Sequence, residues 1–97
     1  MAKLIYHEKW VTKEGDIIEI KIWKVPKSKD FPEGVKYSLV YVHKNERVLC
    51  YDNEKGKGHH KHYFGKEIPI KFESVKKLIL DFYEDVKEVR RTIYEEN

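Results

Sequence analysis

The 97-residue chain has no glutamine, a single alanine (Ala2) and a single cysteine, Cys50. One thiol excludes an intrachain disulfide and a multi-cysteine zinc site. Cys50 stands in an apolar, strand-like run, where a free cysteine is usually a small buried hydrophobe. No apolar stretch approaches the roughly 18 residues needed to cross a bilayer. The opening residues, Met-Ala-Lys-Leu-Ile-Tyr-His-Glu, have no hydrophobic leader core and no cleavage pattern, so the expected location is cytoplasmic. There is no internal repeat and no linker, and the length fits one domain spanning 1–97. Charged residues are abundant at 38%, mostly Lys and Glu, and amides are few, a balance associated with proteins of thermophiles. That bias makes a lysine-rich surface weak evidence for any particular partner. The net charge of +3 permits an anionic partner without requiring one.

The 40% of hydrophobic residues suffices for one modest core. Residues 4–10 read as a strand, and Gly15 supplies a permissive turn before a second strand over 17–25. In that strand Ile18, Ile20 and Ile22 share one face, while Glu19, Lys21 and Trp23 share the other. A proline-containing loop over 26–35 precedes strands at 36–43 and 47–52, the latter ending on Asp52. Residues 60–64 are extended again, and 68–72 offer a short further strand with Pro69 marking an edge or bulge. Ser74 is an N-cap candidate, and Val75, Leu78, Ile79, Phe82, Val86, Val89 and Ile93 form one apolar helical stripe. The expected class is α+β: an antiparallel sheet of five or six strands with one C-terminal amphipathic helix packed on one face. One helix is too little to cover such a sheet. Trp23 and Tyr41 are therefore expected on a second face open to a partner subunit, with a homodimer as one outcome.

The stretch 52-DNEKGKGHHKHYFGKE-67 holds three of the five histidines. On an extended segment His60 and His62 point to the same side and His59 and Lys61 to the other. Asp52 and Glu67 bracket the turn, and Lys55 and Lys57 ride on its glycine-flanked tip. Three chemistries fit these residues. His-x-His with Asp52 or Glu67 is a two-histidine, one-carboxylate metal set, although its spacing is common by chance. Two imidazoles can also serve as acid and base on a phosphodiester, with a lysine or a backbone N–H nest at Gly56–Gly58 stabilising the phosphate. RNA supplies its own 2′-OH nucleophile, so this route needs no metal or cofactor. Finally, the turn can be a solvated basic segment that at most touches an acidic partner.

The run Tyr51–Glu67 resembles the TumE family of small toxins from type II toxin–antitoxin pairs. That family's pattern is Tyr-Asp-Asn, a charged pair, Gly-Lys-Gly, any residue, His, any residue, His-Tyr, and an acidic residue a few positions on. Those places fall on Tyr51, Asp52, Asn53, Gly56, Lys57, Gly58, His60, His62, Tyr63 and Glu67. Ile20–Val25, Lys36–Leu39 and the helix residues Phe72, Val75, Leu78, Ile79, Asp81, Phe82 and Asp85 extend the similarity along most of the chain. The resemblance implies a growth-inhibiting toxin neutralised by a cognate antitoxin, expected to be a DNA-binding protein. Combined with the residues themselves, the expectation is a metal-independent ribonuclease. His60 and His62 would be the acid/base pair, with Asp52 or Glu67 orienting an imidazole. Lys55, Lys57, Lys61 and Tyr63 would be the nucleic-acid contacts. The competing expectation is a non-catalytic module whose basic loop docks on an antitoxin or on nucleic acid.

Overall fold

The computed structural model describes residues 1–54 and 56–95. Its elements are β1 (Lys3–Val11), β2 (Ile17–Lys24), β3 (Val35–His43), β4 (Glu46–Asp52), β5 (His60–Tyr63), β6 (Lys66–Pro69) and α1 (Val75–Tyr94). The strands form one antiparallel meander in the order β1-β2-β3-β4-β5-β6. The α+β expectation therefore holds, with six strands and one C-terminal helix.

Tight turns set this meander. The β1–β2 turn closes with Gly15 at φ 95°, and its N–H donates to the Thr12 carbonyl at 2.9 Å. The β3–β4 and β5–β6 connections are two-residue turns, Lys44-Asn45 and Phe64-Gly65, with both residues at positive φ. Such left-handed pairs match the natural twist of a hairpin and fix its register. Glu46 accordingly belongs to β4 rather than to the turn, and Pro69 closes β6 at the sheet edge.

Register decides which face each side chain takes. Ile18 pairs with Tyr41, Ile20 with Leu39 and Ile22 with Tyr37; Leu39 and Tyr41 in turn oppose Tyr51 and Leu49. These residues form the core with Leu78, Phe82, Val86 and Val89 of α1. The helix starts at Ser74, whose Oγ accepts from the Lys77 N–H at 3.1 Å. Tyr41 thus corrects the expectation that it lies on an open second face. It is 0% exposed under the helix, because its register partner is Ile18. Trp23 does lie on the uncovered side, opposite Lys36. No helix among the described residues is long and apolar enough to cross a membrane.

Candidate active site

The β4–β5 connection brings the histidines to their place. At the end of β4 the backbone pairing with β3 gives way to a side chain. Asn53 accepts from the Tyr37 N–H through Oδ1 at 2.9 Å and donates through Nδ2 to the Val35 carbonyl at 2.8 Å. This buried amide extends the ladder by one step and holds the chain beside β3. Asp52 is thereby fixed as the last paired residue, opposite Ser38 on one side and His60 on the other. One step along, Cys50 pairs with His62, which pairs with Glu67. Since Leu49 and Tyr51 face the helix, the alternate residues Cys50, Asp52, His60 and His62 face away from it.

Asp52, His60, His62 and Glu67 are therefore brought together on the helix-free face. His60 Nε2 lies 3.0 Å from Asp52 Oδ1, and His60 Nδ1 lies 3.2 Å from the Gly58 carbonyl oxygen. Both neighbours are acceptors when the carboxylate is ionised, so only the doubly protonated ring satisfies both contacts. His60 is only 5% exposed. The His62 ring meets it edge-on, with centroids 5.1 Å apart. Neither His62 nitrogen has a hydrogen-bond partner among the described residues, which leaves that ring able to accept a proton. The Cys50 Sγ points at Asp52 Oδ2 from 3.6 Å. Burial, reinforced by the Asp52 charge, pushes its thiol up to about 11, so it is not a thiolate nucleophile at neutral pH.

Ligand atoms of His60, His62 and Glu67 lie within 4.8 Å of one another, close enough to hold a metal ion. To ligate, His60 would have to give up either Asp52 or Gly58, since each ring nitrogen already faces one of them. The donor set is present, and a cation on Nδ1 would displace the Gly58 carbonyl while the Asp52 contact stays in place.

The remaining candidates separate. His59 faces the helix side, with Nε2 at 2.9 Å from Glu33 Oε1 and Nδ1 at 2.8 Å from the Tyr37 hydroxyl, and it stacks on Phe72. Lys57 is exposed at the loop tip, 3.6 Å from Glu54. Lys55 lies outside the described residues. Lys61 and Tyr63 share the helix face with Tyr51 and Leu49, their register partners. Lys61 Nζ and the Tyr51 hydroxyl both donate to Asp85 Oδ2, at 2.8 and 2.5 Å, pinning β5 and β4 to α1. Burial first, and then Asp85, keeps the Tyr51 hydroxyl protonated by raising its pKa. Replacing Asp85 by alanine strands that buried hydroxyl and is expected to cost about 1.5–3 kcal/mol of stability. Urea unfolding of the variant beside the parent measures it.

Beside Asp52 the helix-free face opens into a groove of about 320 Å³ lined by Trp23, Lys36, Ser38, Arg47, Asp52 and Glu54. Trp23, Lys36 and Arg47 escape a reading of motifs because they come from three strands. Their one sequence signal is that Trp23 breaks the polar face of β2.

A family model described as Toxin TumE matches residues 1–90 of the chain. No curated protein and no solved structure matches it.

Proposed function

The chain belongs to the TumE toxin family, and on that premise we propose that it inhibits growth by cleaving RNA without a metal, through His62 as base and His60 as acid. A member of this family is the toxin half of a toxin–antitoxin pair, so its partner is an antitoxin; we read that antitoxin as a DNA-binding protein. The observation that carries the reading is the Asp52–His60 contact of 3.0 Å with the His62 ring 5.1 Å beyond it, its nitrogens without a hydrogen-bond partner among the described residues. One imidazole has an oxygen beside each ring nitrogen, and the other has both nitrogens open among the described residues.

In the proposed reaction His62 removes the proton of a ribose 2′-OH, and the oxygen attacks the adjacent phosphorus. The bond from phosphorus to the 5′-oxygen breaks. That oxygen takes a proton from His60 Nδ1, displacing the Gly58 carbonyl as its acceptor. The products are a 2′,3′-cyclic phosphate and a 5′-hydroxyl; His62 then releases the proton it took to solvent and His60 takes one up, which restores the site. Asp52 is a positioning residue that holds His60 through Nε2, and Glu67, across from His62 on β6, stands near that ring without a hydrogen bond to it. Lys57 contacts the phosphate from the loop tip. Lys61 and Tyr63 face the helix, and in this reading they serve its packing.

The test is cleavage of RNA by the purified protein with and without EDTA, beside the His60→Ala/His62→Ala variant. The expected result is EDTA-resistant cleavage that the variant lacks. Cleavage abolished by EDTA and restored by a divalent ion would turn the same side chains into metal ligands. Binding that falls with salt, without turnover, would leave the loop a docking element.

A further inference from the structure

Trp23, Lys36 and Arg47 are unusual company for the Asp52–His60 pair. Trp23 ends the exposed side of β2 and is half-buried, with its ring available on the helix-free face. Lys36 Nζ stands over the ring, 5.8 Å from its centroid and within cation–π range, so a base stacking on that face would take the place of the ammonium and leave it free for a phosphate. Arg47 pairs with Val42 and reaches along the same face. All three line the groove that ends at Asp52, whose volume of about 320 Å³ is at the lower end for small-ligand sites. An aromatic platform flanked by cations is the recurring device for holding single-stranded nucleic acid, because every base has a face to stack and every phosphate a charge to meet. Two carboxylates also line the groove. Asp52 is engaged by His60 and Cys50, and Glu54 is drawn to Lys57 at 3.6 Å, so neither is left to repel a phosphate alone.

We propose that this groove is a nucleotide subsite: a base of single-stranded RNA stacks on Trp23 while Lys36 and Arg47 hold the adjoining phosphate. The next phosphodiester then lies over Asp52, His60 and His62. The subsite rests on the RNA reading of the histidine site for its biological meaning, but its binding is separable from cleavage. Trp23 acts here as a positioning residue for substrate, independent of proton transfer.

The experiment is fluorescence anisotropy of a labelled 2′-O-methyl oligonucleotide, which cannot be cleaved through a 2′-OH. It is titrated with the parent, Trp23→Ala, Trp23→Phe and Arg47→Ala, each checked for native circular dichroism. Trp23→Ala is expected to weaken binding by about 5- to 150-fold, and Trp23→Phe to recover most of it. Arg47→Ala is expected to reduce the slope of log affinity against log salt by roughly 0.7, one single-strand phosphate contact. The exposed Arg47 keeps the proposal open to refutation even if Trp23→Ala folds poorly. No binding by the parent overturns the subsite and leaves the groove to a protein partner; equal binding by parent and Trp23→Ala overturns it as well. Ordinary RNA is assayed in parallel. Trp23-dependent binding without cleavage would sink the ribonuclease while the subsite stands, and cleavage with Trp23-independent binding would do the reverse.

Discussion

His60→Ala is expected to lower the rate of RNA cleavage by about 10²–10⁴-fold, the usual cost of one acid/base group. His62→Ala should fall in the same range. The double variant should lose little beyond the worse single one, because an acid and a base that act in one step are not additive. The two singles should differ in pH dependence. A base must be unprotonated to work, so His62→Ala removes the acid limb of the profile of kcat/KM. An acid must be protonated, so His60→Ala removes the alkaline limb. The internal control is His59, the same residue type one position away on the opposite face. Its ring is occupied by Glu33, Tyr37 and Phe72 under the loop. His59→Ala should therefore leave the cleavage rate close to the parent's while costing about 1–2 kcal/mol of stability through its lost hydrogen bonds. Equal losses of activity in His59→Ala and His60→Ala would contradict the assignment of the chemistry to the helix-free face.

That contrast between neighbours was legible in the sequence, because side chains alternate along any extended segment. So was most of the fold. The isoleucine alternation of β2, the glycine of the first turn, the Ser74 cap and the stripe of α1 are all local patterns, and local patterns survive without knowledge of the partner strands. What required the structure was register. Whether Asp52 meets His60 depends on how the intervening loop closes, and Asn53 decides that through contacts to residues 16 and 18 positions earlier. Lys61 looked like one more cation of a basic loop. Its partner, Asp85, is 24 residues away on a helix whose docking no local pattern reveals. Trp23, Lys36 and Arg47 become neighbours only once β2, β3 and β4 are aligned. Tyr41 was misplaced for the same reason, and its true surroundings expose the strongest structural dependence in the molecule.

Asp16 is that dependence, and Asp16→Ala is expected to destabilise the fold by about 3–5 kcal/mol, the range for breaking a buried charged network. The residue is 3% exposed in the β1–β2 turn. Its Oδ2 accepts from the Tyr41 hydroxyl at 2.7 Å and from the Tyr94 hydroxyl at 2.5 Å, while Oδ1 lies 2.7 Å from His43 Nδ1. Arg90 closes the cluster by donating to the Tyr41 hydroxyl at 2.8 Å and to Glu14 at 2.9 Å. One carboxylate thus joins the first turn, the end of β3 and the last turns of α1, and its removal leaves the fully buried Tyr41 hydroxyl without its acceptor. Burial alone would raise the Asp16 pKa, but hydrogen bonds from Tyr94, Tyr41 and His43 outweigh it and hold the group below its ordinary 3.8. In acid the unfolded chain therefore takes up this proton before the folded one does. The stability Asp16 contributes is complete above 3.8 and is lost as pH falls through the depressed folded value. Asp16→Asn, which keeps the shape and removes the titration, should start less stable at neutral pH and lose less on acidification. Urea unfolding followed by tryptophan fluorescence, from about pH 7 to about pH 2, compares the two slopes. Parallel slopes would mean that Asp16 titrates alike in the folded and unfolded chain, and that the network holds the helix by shape rather than by charge.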